Sequence, residues 1–495
     1  MARPCSLAVQ LEKIGRLFAA HRTVLGDLTM AINGKIQTTP TKRFFVEMLT
    51  RDIDLEDAIL DLLDNCVDGA LRVKGYDPAD EQPYEGYHAN LEFSGQMFRI
   101  TDNCGGIPES LIESALHLGR AFGEKAEDLP TVGMYGIGMK RAIFKIGREC
   151  IIETRTDKSG FRITMPEDWF YKEDDWGLPV ARIPPDTKNR GTQITVRRLL
   201  PPVAHSFSSP TGFSREFAPK VSQIYSVLME KGFNVIINNK NVVPTPITFK
   251  TSDFAAISEE QGGIAPYLFE GKVGGVDVEL ACGFYTPYSE DSDDEATAFR
   301  TDEAGWTVIC NDRVVLHKDK SILTGWGDGT PNYHPQFRQI AGVVIFSSKD
   351  PKLLPLTTTK RGIEATSEVY LRVRQKMRDG LKKFTGFTNK LKSLSLKARE
   401  ELFDKTETVN LKELRVRKAK IPTGKWTKDH KVEGGRIYDA PLPKFSDSNM
   451  RVVRFSRPAT EIRKVSKYIF DDSEKQPSEV GAACFDRALK DARKK

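Results

Sequence analysis

Three aspartates and an asparagine fall within eight residues of an otherwise apolar segment, 61-DLLDNCVDGALR-72. Such a set can do two kinds of work. Carboxylates can exchange protons, and carboxylate and amide oxygens gathered on one side can act together as ligands. At about 100° per residue, Asn65 and Asp68 fall within roughly 40° of Asp61 on a helix, and Asp64 sits about 60° to one side. Leu60, Leu63, Val67 and Ala70 occupy the other side with helical spacing of their own. One face packs while the other gathers oxygen atoms. Standing alone, the pattern reads first as a solvated acidic face.

Two further stretches carry chemistry. In 100-ITDNCGGIP-108, Asp102 follows a strand-like run and precedes glycines. A carboxylate there can accept from the amino group of a nucleobase, although an ordinary Asp-Asn turn would read the same way. In 133-GMYGIGMKRAIFKIG-147, Gly133, Gly136 and Gly138 form GxxGxG directly before an apolar helix. Glycines opening a helix let backbone N–H groups approach phosphate. The segment lacks the GK[ST] of a Walker loop, and it does not sit in the first turn of a parallel βαβ unit.

Elements must position these residues. Helical patterning covers 43–75 with a break near Asp52–Asp54, a hairpin covers 89–103, and a helix follows over 109–121. After the glycine segment come strand-like runs at 150–157, 161–170 and 191–199. The order helix, strands, glycine loop, helix, strands is that of an α+β fold. A second unit, opening near 215, offers strands in FNVIINN, VGGVDVELACGFY, GWTVICNDRVV and AGVVIFSS, and closes on a helix over 367–384.

Taken together, these motifs resemble the Bergerat-fold (GHKL) ATPases: type II topoisomerases, ninety-kilodalton heat-shock chaperones, histidine kinases and MutL-type repair proteins. The resemblance rests on Asp61, Asn65 and Asp68 in one helix, on 102-DNCGG-106, on the GxxGxG segment, and on a strand opening Gly191–Thr192. It covers roughly residues 40–200. It implies an α/β sandwich, a mixed sheet with helices on one face, that binds ATP with Mg2+. Asn65 is then the metal ligand, Asp61 the base that activates water, and Asp102 the acceptor of the adenine amino group, supported by Thr192. Asp68 steadies the polar network. Gly106 and Ile107 line the nucleotide beside Asp102. Gly133, Gly136, Ile137, Gly138 and Met139 wrap the phosphates, with Lys140 adding positive charge, and residues 109–132 form a lid. Two departures stand out. Asp61 holds a position the family usually gives to Glu, and Cys104 replaces the first glycine of DxGxG.

The second unit resembles the transducer domain of topoisomerase-type and MutL-type members, whose lysine reaches the γ-phosphate from a loop before a helix. In 351-PKLLPLTTTKRGIEATSEVYLRVRQKM-377 this residue is Lys360, with Arg361 as second choice. MORC-like and MutL-like proteins are the closer relatives on this reading. Four units are expected: an N-terminal extension (1–38), the ATPase domain (39–212), the transducer-like domain (213–384) and a basic, largely helical C-terminal region (385–495).

Composition bounds the partners. From residue 381 onward the chain carries 29 Lys/Arg against 16 Asp/Glu, a net of +13 that leaves −7 over the first 380 residues. Such asymmetry suits an anionic partner, DNA above all, or a solubilising tail. The densest basic patch is Arg415, Arg417, Lys418 and Lys420. Seven scattered cysteines without a CxxC pair suit a reducing compartment, and with no signal-peptide core and no long apolar run a cytoplasmic location without membrane span is expected. The leading function is an ATPase clamp that closes as a homodimer on ATP, acting on DNA or in a DNA-linked complex. The alternatives are a chaperone-like clamp on protein partners and a nucleotide sensor that does not hydrolyse.

Overall fold

The computed structural model describes residues 41–75, 80–117, 137–172, 175–209, 212–286, 303–357, 359–444 except 393 and 395, 453, and 456–493. The expected N-terminal extension lies outside them. Two sheets dominate the α+β fold. The first contains β1 (His88–Phe93), β2 (Phe98–Asp102), β3 (Gly147–Arg155), β4 (Gly160–Met165), β5 (Val180–Arg182), β6 (Gly191–Leu199), β7 (Asn234–Ile237) and β8 (Lys240–Asn241). Their order is β5-β4-β3-β6-β2-β1-β7-β8, antiparallel throughout except for the parallel pair β1–β7. Buried and half-buried residues alternate along β1, so one face of this sheet is covered and the other is not. The cover consists of helices, including Leu55–Lys74 and Gly138–Ile146, which share one apolar core with the strands.

The helix Leu55–Lys74 is written into its ends. Glu56 and Asp57 lie in its first turn, Arg72 and Lys74 in its last, and Gly75 closes it with φ 79°. Both charge placements complement the helix dipole. The chain breaks before it, after the helix Lys42–Arg51, where the sequence pattern puts Asp52–Asp54. From Asp57 to Leu71 every residue is buried except Asn65.

The second sheet contains β10 (Tyr267–Val273), β11 (Val276–Phe284), β12 (Gly305–Cys310), β13 (Arg313–Asp319), β14 (Ile340–Ser347), β16 (Thr427–Lys428) and β17 (Glu433–Tyr438), in the order β13-β12-β14-β11-β10-β17-β16. The remaining strands, β9 (Thr248–Thr251) and β15 (Glu407–Asn410), pair with each other. β12 is buried at every position, as in a strand covered on both faces. One face packs on the helix Glu368–Leu391, and the other on Leu411, Leu414 and Trp426.

Two expectations about the division of the chain need correcting. The boundary expected at residue 213 falls inside the first layer, because β7 completes the first sheet beside β1 and Phe213, Phe217, Val221, Tyr225 and Val235 join its core. A four-residue strand carries no mark of which sheet it will extend. The region after 385, expected to be largely helical, supplies β15, β16 and β17 as well as helices, with β17 extending the second sheet beside β10. Among the described residues no helix is long and apolar enough to cross a membrane.

This packing sets a limit on truncation. Each buried side chain from 213–237 contributes roughly 1.5–3 kcal/mol, and several together reach the whole stability of a domain, about 5–15 kcal/mol. A fragment ending at residue 212 is therefore expected to lack the cooperative thermal transition that the full chain shows by circular dichroism.

Candidate active site

The site is laid out along the helix Leu55–Lys74. At its first station, Asp61 faces the start of the helix Gly138–Ile146. A Cβ on Gly138 would sit 3.2 Å from the Asp61 carboxyl carbon, so glycine lets the two helices approach this closely. Arg141, one turn on, donates from Nη2 to Asp61 Oδ2 at 2.5 Å. Lys360 Nζ lies 3.3 Å from Asp61 Oδ1. Both oxygens of the expected base therefore face cations.

Asp64, which helical geometry sets to one side, is fully enclosed, its side chain 0 % exposed. Lys360 Nζ donates to its Oδ2 at 2.7 Å, while Arg313 Nε at 2.8 Å and the Tyr225 hydroxyl at 2.6 Å donate to Oδ1. Arg313 also donates from Nη1 to the Lys360 carbonyl oxygen at 2.7 Å. Burial works against the Asp64 carboxylate, but Arg313 and Lys360 outweigh it and hold its pKa below the ordinary value. Burial likewise opposes the Lys360 charge, and Asp64 and Asp61 outweigh that too, raising its pKa. Arg361 points elsewhere, pairing with Asp54 at 3.0 Å and with Asp57. Of the two basic residues proposed from the sequence, Lys360 is the one beside Asp61.

Sequence reasoning missed Asp64, Arg141, Tyr225 and Arg313. A faint signal existed for Arg313: it stands in 311-NDR-313 between two runs of apolar strand residues, where a cation has no packing reason to be. Its partner lies 249 residues away, and no local pattern could name it.

The second station is the turn after β2. Asp102 Oδ1 accepts from the backbone N–H groups of Cys104 at 2.8 Å and Thr192 at 3.2 Å, and the Cys66 thiol lies 3.5 Å from Oδ2. Burial pushes the Asp102 pKa up to about 6. An ionised carboxylate offers about four acceptor sites, so this one keeps room for an amino group. Thr154 Oγ1 accepts from the Ile107 N–H at 2.7 Å and lies 3.1 Å from the Thr192 hydroxyl. Thr192 thus supports Asp102 through its backbone and ties it to the neighbouring strand through its side chain. Gly106 has φ 74°, and a Cβ there would meet the Arg155 carbonyl oxygen at 2.2 Å. At Gly191 a Cβ would lie 1.9 Å from the Asp102 carbonyl oxygen. Only glycine fits at either position. Cys66 and Cys104 are both buried and both free, with burial driving each thiol pKa upward, so they pack as neutral groups around Asp102.

The third station is the glycine segment. Gly133 and Gly136, and the expected lid beyond residue 117, lie outside the described residues. Ile137 and Gly138 open the helix, and Met139 and Asp68 are buried. Lys140 departs from expectation. Instead of presenting charge to a phosphate, its buried Nζ donates to the carbonyl oxygens of Ala115 at 2.8 Å and His117 at 2.7 Å, and burial lowers its pKa to about 8. The last carbonyls of the helix Glu109–Leu116 lack intrahelical partners, and a lysine at that end satisfies them.

Asn65 remains the exposed residue in the buried run Asp57–Leu71, between Asp61 with its cations and Cys66 beside Asp102. Its amide carries an oxygen, the kind of hard donor that magnesium favours, while among the described residues no cluster of three His, Cys, Asp or Glu side chains is placed to hold a metal ion. A buried carboxylate at Asp102 and a cationic end at Lys360 and Arg141 are joined by one helix carrying an exposed amide. No curated protein matches the chain. Residues 53–192 match the model of the histidine kinase-, DNA gyrase B- and HSP90-like ATPase family, and that part of the chain is a domain of the family.

Proposed function

We propose that the chain hydrolyses ATP and couples hydrolysis to its second domain through Lys360. The observation that carries this reading is the position of Lys360, 3.3 Å from Asp61 across the junction of the two sheets. In the proposed step a water oxygen forms a bond to the γ-phosphorus as the bond to the β–γ bridging oxygen breaks. ADP leaves with that oxygen, and the water's proton passes to Asp61. Lys360 and Arg141 offset the negative charge that builds on the phosphoryl oxygens. Asn65 would hold Mg2+, which supplies charge neutralisation at the phosphates when bound. Asp102 accepts from the adenine amino group and so selects the base. The layout of Lys360 on a loop before the helix Glu368–Leu391 supports the transducer-like, MORC-like or MutL-like reading.

One observation favours a second reading, a nucleotide sensor without turnover. Asp61 is a short base whose two oxygens already face Arg141 and Lys360. Steady-state ATP turnover separates the two. For the hydrolase, Asp61→Asn lowers kcat by about 10²–10⁴-fold while nucleotide affinity persists. Lys360→Ala lowers kcat by about 10²-fold and leaves ADP affinity unchanged, because ADP lacks the γ-phosphate. Asn65→Ala abolishes magnesium-dependent nucleotide binding in calorimetry. Wild-type protein without nucleotide affinity in magnesium would overturn both readings.

The Asp102 carboxyl gives a pH dependence of stated sign. The adenine amino group binds better to the ionised form, so affinity rises as pH climbs through about 6 and levels off above it. Adenosine is the probe of choice, since it has no phosphate to titrate in that range. Asp102→Asn is expected to weaken adenosine binding and remove the pH step.

The partner side rests on charge balance. The basic patch expected to meet DNA is largely spent within the fold: Lys418 pairs with Glu270 at 2.8 Å and Glu279 at 2.9 Å, Arg415 with Glu279 at 3.4 Å, and Arg417 with Glu407. DNA binding by an ATP-closed homodimer therefore draws its support from the net charge of the whole C-terminal region. Turnover measured with and without DNA, beside nucleotide-dependent mass by light scattering, tests it. Salt-sensitive stimulation and a doubled mass with ATP support a DNA clamp. Salt-insensitive capture of a protein partner without DNA retention would favour the chaperone-like alternative.

A further inference from the structure

Lys360 is held by more than its contact with Asp61. Its ammonium has three protons. One goes to Asp64 at 2.7 Å and a second faces Asp61 at 3.3 Å, leaving a third for another acceptor. Its carbonyl oxygen receives Arg313 Nη1 at 2.7 Å, and the same guanidinium grips Asp64 through Nε at 2.8 Å. Arg313, Asp64 and Lys360 thus close a ring that fixes the lysine at both its main chain and its side chain. The Lys360 backbone adopts φ 56°, an unfavourable conformation for a long side chain that persists only where neighbours enforce it. The loop is closed at its base by the bridge Leu356–Ile363 and inside by the Lys360 N–H to the Thr357 carbonyl at 3.0 Å.

Arg313 is itself braced. It follows the two-residue turn Asn311–Asp312, both with positive φ, at the tip of the β12–β13 hairpin. Asp312 receives Lys231 Nζ at 2.8 Å, which ties that tip to the first domain. Apolar side chains in place of the whole Asp64–Arg313–Lys360 set would pack in the same space without the cost of burying charge, and buried ion pairs are a poor route to stability. The geometry gives the carboxylate a different task. We propose that Asp64 and Arg313 are positioning residues that fix the Lys360 ammonium beside Asp61, with neither touching the nucleotide. This deepens the hydrolase reading and rests on it for the role of Lys360.

The experiment combines kinetics with chemical labelling on the full chain. Asp64→Asn and Arg313→Lys are compared with Lys360→Ala, singly and paired. Arg313→Lys keeps the charge but loses the fork that reaches both Asp64 and the Lys360 carbonyl, so it carries the test if Asp64→Asn does not fold. Each single variant is expected to lose at least about tenfold in kcat with KM nearly constant. Added to Lys360→Ala, neither costs anything more, because both act through that side chain. Losses that multiply in the double variants, or a kcat unchanged in the singles, would overturn the proposal. Acetylation of Lys360 in nucleotide-free protein, followed by mass spectrometry with exposed Lys352 as internal reference, reads position without turnover. Labelling several-fold faster in either variant is expected, and equal rates would refute the positioning role. If wild-type protein does not hydrolyse ATP, the hydrolase reading fails and the labelling rates alone decide the claim.

Discussion

A carboxylate sealed from water stays ionised only when cations meet it, and Asp64 is sealed completely. Its two cations, Arg313 and Lys360, come from the second sheet and the loop beyond it. The relative placement of the two domains and the geometry of the candidate site are consequently a single problem. Removing one member of a buried pair strands the other, at a cost of about 3–5 kcal/mol. The same helix that carries Asp64 carries Asp61 and Asn65, so any shift of the second domain is felt directly at those two side chains.

Successive turns of that helix have separate duties. Asp54, just ahead of it, and Asp57 meet Arg361, Asp61 meets Arg141 and Lys360, Asn65 is open, and Cys66 reaches Asp102. An acidic face of this length reads in a sequence as a solvated surface. Here most of it is buried against cations, and from Asp57 to Asp68 only the amide is left exposed. The opposite side packs on the sheet through Leu60, Leu63 and Val67, as helical spacing requires.

The parts legible in the sequence are those encoded locally. The break before the helix, the hairpin ending at Asp102, the glycine-led helix and the strand opening at Gly191 all follow from spacing within a few residues. What escaped was encoded at long range. Asp64 and Lys360 are 296 residues apart, and nothing near either one names the other. Lys140 looked like a phosphate ligand because it follows glycines, yet it satisfies the carbonyls that end a neighbouring helix. The cations of 411–420 looked like a free patch because their acidic partners, Glu270 and Glu279, stand on strands far earlier in the chain. Membership of β7 in the first sheet and β17 in the second depended on which edge each short strand could reach.

The turn around Asp102 has a further property. A Cβ on Gly69 would press on the Cys104 carbonyl oxygen at 2.9 Å, one on Gly191 on that of Asp102, and one on Gly106 on that of Arg155. At three points, then, main chain lies directly against main chain. A wall of that kind has no rotamers to exchange, so its outline cannot change by swinging a side chain aside. Any change in its outline has to come from breathing of the sheet itself, a slow and costly motion, which makes this turn the rigid datum against which the rest can move.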